Sequence, residues 1–321
     1  KDGQQERLQA ENEITNKKFE NNENNEYIEP SVFETRMKYN ANLKQDFLLV
    51  SDIHFDSIGF KKQLLEAHLM EAVSRRAPVY IFGDLFDIMQ GRNDNRRNLR
   101  ELKTEYKSMA YFNNIVSSAV EFFKPYAKHI QLVCYGNHEL KVLEHLQVCP
   151  LQMFIMKMYS ETGHTIELGQ YDGWIKFKWE KGYGKKNKKG NHTKGMSGSM
   201  TLHYNHGVGG AGTAKGLHSR IRQMVKSDAD VYYRGHIHVK SSTSERTTQL
   251  TQQNRLRNQE KLWLQAGTYA DDDYGNSYGK VRTLSNVDYG GYWLNLKTSD
   301  YPYERRKVIW THENVYVPSI M

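Results

Sequence analysis

The sequence predicts an α/β fold in which buried strands alternate with helices and pair as a parallel or mixed sheet. The prediction rests on three short, mostly apolar runs, Asp46–Val50, Val79–Phe82 and Ile130–Tyr135. Runs of this length that are rich in β-favouring residues are typical of strands buried on both faces. A helical pattern separates each run from the next, and strand–helix–strand units of this kind are joined by right-handed crossovers.

The helices between these strands are predicted from apolar residues spaced at intervals of three and four. The first covers about residues 60–73 and ends ahead of Pro78. The second extends from Leu99 to Tyr126, where Pro125 stops it. A third helical stretch occupies about residues 141–160.

The second half of the chain is predicted to be rich in strands. Trp174–Trp179 alternates like a half-buried strand, and a second strand follows at 200–206. A Gly-rich turn and a basic helix at Leu217–Lys226 come next, and another strand begins at Asp230. Further strands are predicted near residues 261–265, 291–296 and 307–310.

Residues 1–42 differ in composition from the rest of the chain. They are rich in Glu and Asn, carry six basic against nine acidic residues, and show almost no apolar periodicity. A segment of this kind is an arm or a lone surface helix, because it lacks the apolar residues to form a core. We therefore predict a polar N-terminal arm over residues 1–42, which could dock a protein partner, and a single domain over residues 43–321.

Positive charge is concentrated in one block of the chain. The whole chain has a net charge of +8, whereas residues 181–227 alone contain ten Lys and Arg residues and no Asp or Glu. Such local asymmetry suggests a polyanionic partner such as nucleic acid, although a solvated loop that maintains solubility explains the composition equally well. The candidate substrate-binding residues in this block are Lys185, Lys186, Lys188, Lys189, Lys194, Arg220 and Arg222.

Cysteine content and hydropathy predict a soluble protein of the cytoplasm. The chain has two cysteines, Cys134 and Cys149, which are too few for a disulfide framework and fit reduced thiols. No apolar run is long enough to cross a bilayer, so we expect no membrane partner.

Five short polar motifs follow one another along the chain, and most of them end a predicted strand: Asp52-Ile53-His54, Gly83-Asp84-Leu85-Phe86-Asp87, Gly136-Asn137-His138-Glu139, His206-Gly207 and Gly235-His236-Ile237-His238. Ligands of α/β sheets gather at the carboxyl ends of the strands, so these motifs should converge. A buried carboxylate costs free energy unless it is paired or binds a metal. Asp84 has two carboxylate oxygens and could therefore bridge two cations.

These ordered motifs resemble those of the calcineurin-like metallophosphoesterase superfamily over about residues 46–240. The resemblance implies a four-layer αββα sandwich, with two mixed sheets flanked by helices, and two divalent metal ions. One ion would be held by Asp52, His54, Asp84 and His238, and the other by Asp84, Asn137, His206 and His236. His203 competes with His206, which we prefer because the ligand of the family usually precedes glycine. Mixed oxygen and nitrogen ligands suit manganese, with iron, zinc, magnesium and nickel as alternatives.

The same resemblance implies a hydrolytic mechanism. In the family, two cations activate a water and neutralise phosphate oxygens, and the histidine of Gly-Asn-His protonates the leaving group. That histidine is His138 here, with Asp87 as its orienting carboxylate and Glu139 in a supporting role. The alternative for His138 is a positioning role on the substrate phosphate.

The residues that follow two of the motifs help to distinguish between possible substrate classes. The protein-phosphatase branch of the superfamily has arginine directly after Gly-Asp-x-x-Asp and Gly-Asn-His-Glu, where this chain has Ile88 and Leu140. This difference disfavours a protein Ser/Thr phosphatase unless Arg92 or Arg234 takes over that function. Gly-Asp-Leu-Phe-Asp resembles the DNA repair exonuclease branch, and the overall pattern resembles phosphoesterases of phage and bacterial genomes.

We therefore expect a metal-dependent phosphodiesterase that acts on nucleic acid, such as a DNA nuclease, because the basic block flanks His206. A small-molecule phosphatase or cyclic-nucleotide phosphodiesterase is the first alternative, and a protein Ser/Thr phosphatase is the second. A non-catalytic binding module is a further hypothesis, but it leaves His138 and Asp87 without a reason to accompany the ligand set.

Overall fold

The computed structural model describes residues 31–38, 43–88, 103–107, 110–180, 197–209, 227–250, 254–271, 288–299 and 308–316. In this part of the chain, twelve strands form two six-stranded sheets, and four α-helices accompany them. The strands are β1 Ser31–Lys38, β2 Lys44–Val50, β3 Val79–Phe82, β4 Ile130–Cys134, β5 Glu167–Gly169, β6 Asp172–Glu180, β7 Ser197–Asn205, β8 Val231–Arg234, β9 Ser241–Leu250, β10 Leu256–Gln265, β11 Tyr292–Thr298 and β12 Val308–Asn314. The helices are α1 Lys62–Arg75, α2 Tyr111–Phe123, α3 Asn137–Leu146 and α4 Pro150–Thr162, with 3₁₀-helices at Thr104–Tyr106 and Lys124–His129.

The first sheet has the strand order β1-β6-β7-β8-β10-β9, and the second has the order β12-β11-β2-β3-β4-β5. In the second sheet β2, β3, β4 and β5 are parallel, whereas β11 runs antiparallel to both of its neighbours. In the first sheet β7, β8 and β10 are parallel, while β6 is antiparallel to β7 and β9 to β10. Both sheets are therefore mixed, and in each the carboxyl ends of the parallel strands lie at one edge.

The two sheets face each other across an aromatic core. The ring centroids of Phe82 and Tyr233 are 4.6 Å apart, and those of Phe47 and Phe177 are 4.7 Å apart. Alternate residues of the same strands, such as Ile81, point to the opposite face and join a second cluster with the helices. Because both faces of the second sheet are buried, its parallel strands are apolar almost throughout, which is why the sequence reveals them.

The described helices supply the apolar cover of the second sheet. Leu65 of α1, Val116 of α2 and Phe154 of α4 are buried in one cluster with the outward-facing residues of β2, β3 and β4. The protein is thus an α/β sandwich of two mixed sheets with helices, which confirms the predicted fold class. The basic helix predicted at residues 217–226 lies outside the described residues. Within the described ranges, no helix combines the length and the apolarity needed to span a membrane.

The structure corrects the extent of two predicted helices. Among the described residues of the helix expected from Leu99 to Tyr126, the α-helix covers Tyr111–Phe123, and Thr104–Tyr106 forms a separate 3₁₀ turn. Lys103 anchors this turn, because its Nζ donates to the carbonyl of Phe55 at 3.0 Å. The helix expected over residues 141–160 is divided into α3 and α4, because Gln147 adopts a left-handed φ of 54° and a proline opens the next helix.

The first sheet begins before the domain boundary predicted at residue 43. Strand β1 pairs in parallel with β6 along its full length, so Ser31–Lys38 belongs to the sheet rather than to an arm. Phe33 and Met37 pack against the core between the sheets, whereas Val32 is 69 % exposed. Such one-sided burial is typical of a strand with one face on the core and the other in solvent, and this polar edge strand gives too weak an apolar pattern to be recognised in the sequence. The same holds for β9, a polar edge strand that the sequence analysis missed.

Candidate functional site

The loops after five strands bring the predicted metal-binding side chains together. The strands are β2, β3 and β4 of the second sheet and β7 and β8 of the first. Within the described residues, potential ligand atoms less than 4.8 Å apart form three groups: Asp52, His54 and His238; His54, Asp84 and His138; and Asp84, His206 and His236. Because His54 and Asp84 each belong to two groups, the three groups form one continuous site.

One side of the site is formed around His206. Its Nε2 lies 3.0 Å from Asp84 Oδ2 and 3.1 Å from Asn137 Oδ1. Its Nδ1–H donates to the carbonyl of Phe82 at 3.0 Å, which fixes the tautomer and leaves Nε2 facing the site. Asn137 Oδ1 is also 2.8 Å from Nδ1 of His236. These four side chains are the set predicted to hold one ion.

The other side of the site is formed around His54 and His238. Their Nε2 atoms are 3.2 Å apart, and Nε2 of His238 is 3.3 Å from Asp52 Oδ1. The backbone N–H of His236 donates to both carboxylate oxygens of Asp52 at 3.0 Å. Asp52 therefore connects the loop after β2 to the loop after β8, so that the two sheets share one site.

The candidate ligands occupy strained backbone positions. Five of them have a positive φ, namely Asp52 (54°), His54 (47°), Asp84 (48°), His236 (74°) and His238 (60°). Such conformations cost roughly 1–3 kcal/mol at a non-glycine residue and persist where the surroundings impose them. Here the carbonyl of Asp84 accepts the amides of Ile53 at 2.8 Å and of His54 at 3.0 Å, which holds the first two loops against each other.

Charge in the site is balanced between carboxylates and imidazoles. Burial would raise the pKa of Asp52, but His206 and His238 lower it to about 2. Burial also opposes ionisation of Asp84, yet His138 and His206 hold its pKa well below the usual range. For His206, burial favours the neutral ring, but Asp84 and Asp52 raise its pKa to about 9. Burial and the neighbouring His206 lower the pKa of His236 to about 4, so His236 is a neutral, ligand-competent ring.

This donor set fits divalent cations. Asp52 and Asp84 are 0 % and 1 % exposed, so their charges need a counter-charge inside the protein. The Nε2 atoms of His54 and His238 face each other at 3.2 Å, so only one of them can carry a proton in the space between them. A cation could instead be bound by the lone pairs of both nitrogens. Imidazole and carboxylate ligands suit first-row transition metals, and metal binding would release the protons that the histidines otherwise carry.

His138 is oriented by the backbone of Asp87, which corrects the predicted role of the Asp87 carboxylate. The Nδ1–H of His138 donates to the carbonyl oxygen of Asp87 at 2.6 Å, whereas the carboxylate Oδ1 is 3.5 Å from Nδ1. That carboxylate oxygen is closer to Nδ1 of His54, at 3.2 Å. Asp87 lies between the two rings, so its peptide holds His138 while its carboxylate lies nearer to His54.

Glu139 ties two loops of the site together. Its carboxylate oxygens accept the backbone amides of Phe86 at 2.9 Å and of Gly136 at 3.0 Å. Glu139 is fully buried, and both of its oxygens are engaged by the backbone. Glu139 thus fixes the loop after β3 against the start of α3.

His203, the alternative to His206, lies away from the site. Its Nε2 is 3.1 Å from Asp172 Oδ1, and its Nδ1 is 3.1 Å from the hydroxyl of Ser227. Its ring packs against Trp174, with centroids 4.7 Å apart. Because β7 alternates its side chains across the first sheet, His203 cannot join the ligands that lie at the end of this strand.

The seven basic residues predicted to bind substrate all belong to segments 181–196 and 210–226, outside the described residues. They are Lys185, Lys186, Lys188, Lys189, Lys194, Arg220 and Arg222, and Arg92 also lies outside the described residues. Arg234 is described and is 5 % exposed, and its Nη2 donates to the carbonyl of Val208 at 2.9 Å. Arg234 therefore supports the turn after His206.

Three buried polar residues support the ligand loops and were missed from the sequence. Ser51 donates to the carbonyl of Phe82 at 2.8 Å, and Thr268 donates to the carbonyl of Asp52 at 2.8 Å. Gln265 donates to the carbonyl of Gly235 at 2.7 Å. Ser51 directly precedes Asp52, which was a usable signal, but Gln265 and Thr268 are far from every motif in the sequence.

Gly136 offers a test of how tightly Asp84 is held. A Cβ atom at this position would collide with the Asp84 carboxylate, with Cγ only 2.7 Å away. The φ of Gly136 is −106°, which any residue can adopt, so only space is limiting. We expect Gly136→Ala to displace Asp84 and to weaken metal binding by at least about 10-fold, as mutation of a residue that supports a ligand does at other metal sites.

The control for this variant is Gly163→Ala. Gly163 has a φ of +68°, and no atom lies within 4 Å of an added Cβ. This substitution should therefore lower the melting temperature through backbone strain and leave metal affinity unchanged. Calorimetric titration with Mn²⁺ measures both variants. Equal metal affinities for Gly136→Ala and the parent protein would show that Asp84 is not held as the structure indicates.

No protein-family model and no curated protein matches the chain. Among solved structures, it is similar to a metallophosphoesterase from Sphaerobacter thermophilus, with 9 % sequence identity, a TM-score of 0.33, and coverage of 85 % of this chain and 89 % of that one. At this level of similarity, the geometry of the site is the basis for inferring the function.

Proposed function

We propose that this protein is a metal-dependent phosphoesterase that hydrolyses phosphodiester bonds, with nucleic acid as its substrate class. The observation that carries the proposal is the position of Asp84. Its buried carboxylate belongs to one group with His54 and His138 and to another with His206 and His236. A single carboxylate with ligand groups on both sides is the arrangement that a two-metal centre requires.

Two sets of residues would hold the metal ions. Asp52, His54, Asp84 and His238 would bind one ion, and Asp84, Asn137, His206 and His236 would bind the other, with Asp84 shared. When bound, such ions supply Lewis acidity that activates a water and neutralises charge on the phosphate oxygens. Manganese is our first choice among divalent metals of this ligand preference.

The residues of the chain then supply orientation and the proton. Water adds to phosphorus, the bond to the leaving oxygen breaks, and that oxygen needs a proton. His138 would donate it from Nε2 as an imidazolium, in which Nδ1–H stays bound to the Asp87 carbonyl and Nε2 lies 3.7 Å from Asp84 Oδ2; the proton released by the attacking water would restore this form. The Asp87 carboxylate, 3.2 Å from His54, would keep that ring directed toward the metal.

The nucleic-acid part of the proposal is supported by charge. Residues 181–227 carry ten basic and no acidic residues, and they include β7, which ends one residue before His206. Such a block next to a hydrolytic site would attract a phosphate backbone over several nucleotides. A small-molecule phosphodiesterase would need no such block.

The function is tested with a panel of substrates. Protein supplied with Mn²⁺ should hydrolyse bis-nitrophenyl phosphate and DNA faster than nitrophenyl phosphate. Hydrolysis of the monoester alone would contradict the phosphodiesterase proposal, and fast hydrolysis of a cyclic nucleotide without activity on DNA would indicate the small-molecule alternative. Chelator should abolish every activity, and added Mn²⁺ should restore it.

The role of the basic block is tested by changing five of its lysines, Lys185, Lys186, Lys188, Lys189 and Lys194, together to Gln. If these lysines bind phosphates, DNA affinity should fall, and the salt dependence should flatten by roughly 0.9 log units per decade of salt for each phosphate that is no longer neutralised. Turnover of the small diester is the internal control and should hardly change, because none of these five lysines is a proposed metal ligand. Unaltered affinity and slope would contradict the role in DNA binding.

A further inference from the structure

We propose that Asp56 is a positioning residue for the proton donor and that it acts on His138 through the peptide bond after Asp87. The inference rests on the proposed function, since it gives Asp56 a part in the same reaction. Asp56 is 2 % exposed and belongs to none of the five motifs. Its role is inferred from the backbone amides that its carboxylate binds.

The Asp56 carboxylate binds two successive backbone amides of the loop after β3. Its Oδ1 accepts from the amide of Asp87 at 2.7 Å, and its Oδ2 accepts from the amide of Ile88 at 3.0 Å. The hydroxyl of Tyr111 also donates to Oδ2, at 3.2 Å. Hydrogen bonds to an ionised acceptor are about twice as strong as neutral ones, so this loop is held firmly at Asp87.

One peptide plane connects Asp56 to His138. The amide of Ile88 and the carbonyl of Asp87 belong to the same planar trans peptide, so its N–H and C=O point in opposite directions. The N–H binds Asp56, and the carbonyl accepts Nδ1–H of His138 at 2.6 Å. A rotation of this plane would release the imidazole, because the carbonyl could no longer face it.

The strained backbone at Ile88 indicates that the Asp87–Ile88 peptide keeps its orientation only while other groups hold it. Ile88 has a φ of 38°, a left-handed conformation that is a rare outlier for a β-branched residue. Such strain costs about 1–3 kcal/mol and persists only where the surrounding structure imposes it. The bond from the Ile88 amide to Asp56 opposes relaxation at this residue. Asp56 therefore maintains the strained conformation that directs the carbonyl of Asp87 toward His138.

The first test is spectroscopic and needs neither metal nor turnover. In metal-free protein, a long-range proton–nitrogen spectrum should show an exchange-protected Nδ1–H signal for His138, which His138→Gln assigns by removing it. In Asp56→Asn one acceptor oxygen becomes a donor that faces a backbone amide, so this signal should broaden or disappear. An unchanged signal in a folded Asp56→Asn protein would overturn the inference.

The matched control is Asp230→Asn. The carboxylate of Asp230 also holds a backbone amide, that of Thr201 at 2.8 Å, but it lies ahead of β8, at the opposite end of that strand from His236. Asp230→Asn should lower thermal stability and leave the His138 signal as it is in the parent protein. Loss of the signal in both variants would indicate general loosening of the fold, and would also overturn the specific role of Asp56.

The second test uses leaving groups. Asp56→Asn should reduce kcat by roughly 10–100-fold for an alkyl or unsubstituted phenyl diester, as misplacement of a reacting group does, and by much less for a nitrophenyl diester. The KM should change little, because Asp56 contacts no substrate. Combined with His138→Gln, the Asp56 substitution should add no further loss. Equal losses on both leaving groups, or additive losses in the double variant, would contradict a role through His138.

Tyr111→Phe provides a milder variant in case Asp56→Asn does not fold. It removes one of the three donors to Asp56 and leaves both backbone bonds in place. It should produce a smaller loss in the same direction, again larger for the poor leaving group, and a smaller change in the His138 signal. Should the parent protein hydrolyse no phosphoester at all, the proposed function fails, while the spectroscopic test still decides whether Asp56 holds His138.

Discussion

Asp84→Asn should abolish binding of both metal ions and most of the activity. Asp84 is 1 % exposed, and its Oδ2 lies 3.0 Å from His206 Nε2 and 3.7 Å from His138 Nε2. Asparagine keeps the shape but removes the charge and one of the two oxygens. A bound metal ion stabilises the charge of the transition state by several kcal/mol. Because each loss of about 1.36 kcal/mol of stabilisation slows a reaction tenfold, we expect turnover to fall by roughly 10³-fold.

Elemental analysis after dialysis measures this effect, and Asp172→Asn is its control. Asp172 also faces a histidine, His203, at 3.1 Å, but outside the site. The control should keep the metal content and the activity of the parent protein. Two metal ions per chain in Asp84→Asn, together with undiminished turnover, would exclude Asp84 as the bridging ligand.

His138→Gln should preserve both metal ions but slow hydrolysis by roughly 10²–10⁴-fold, as loss of a general acid does. The loss should be largest for a poor leaving group and small for nitrophenolate, which hardly needs a proton. The geometry behind this expectation is the fixed Nδ1–H bond to the Asp87 carbonyl at 2.6 Å, which leaves Nε2 to face the site. Steady-state kinetics with a series of aryl diesters measures the dependence on the leaving group.

The structure also suggests a different role for His138, that of a metal ligand, which the same variant would reveal. His138 lies in one group of potential ligands with His54 and Asp84. If His138→Gln loses a metal ion, His138 is a ligand and the proton must come from elsewhere. Equal losses on good and poor leaving groups with full metal content would instead indicate that His138 positions the phosphate. His203→Gln, on the outer face of the first sheet, is the control and should behave like the parent protein.

The strands that carry the site could be predicted because their burial is two-sided. β3 is apolar at all four positions, and the polar residue that follows it, Asp84, is therefore conspicuous in the sequence. The same contrast between an apolar strand and the polar residues after it marks Asp52 and Asn137. Predicting that such residues converge required only the rule that parallel strands present their carboxyl ends at one edge.

The details of the site depended on backbone conformations that have no sequence signal. The carboxylate of Asp87 was expected on His138, but the left-handed turns at Asp84 and Ile88 bring its carbonyl there instead. Asp56 could not be singled out, because its partners are backbone amides that any residue possesses. Strand β1 was missed for a different reason, since an edge strand with polar residues on its exposed face resembles the polar arm before it.

Whether two metal ions share Asp84 is tested most directly by anomalous scattering from crystals of the Mn²⁺-loaded protein. We predict two anomalous peaks, one beside Asp52, His54 and His238 and one beside Asn137, His206 and His236, with the Asp84 carboxylate between them. A single peak at this site, or two peaks of which only one contacts Asp84, would contradict the account.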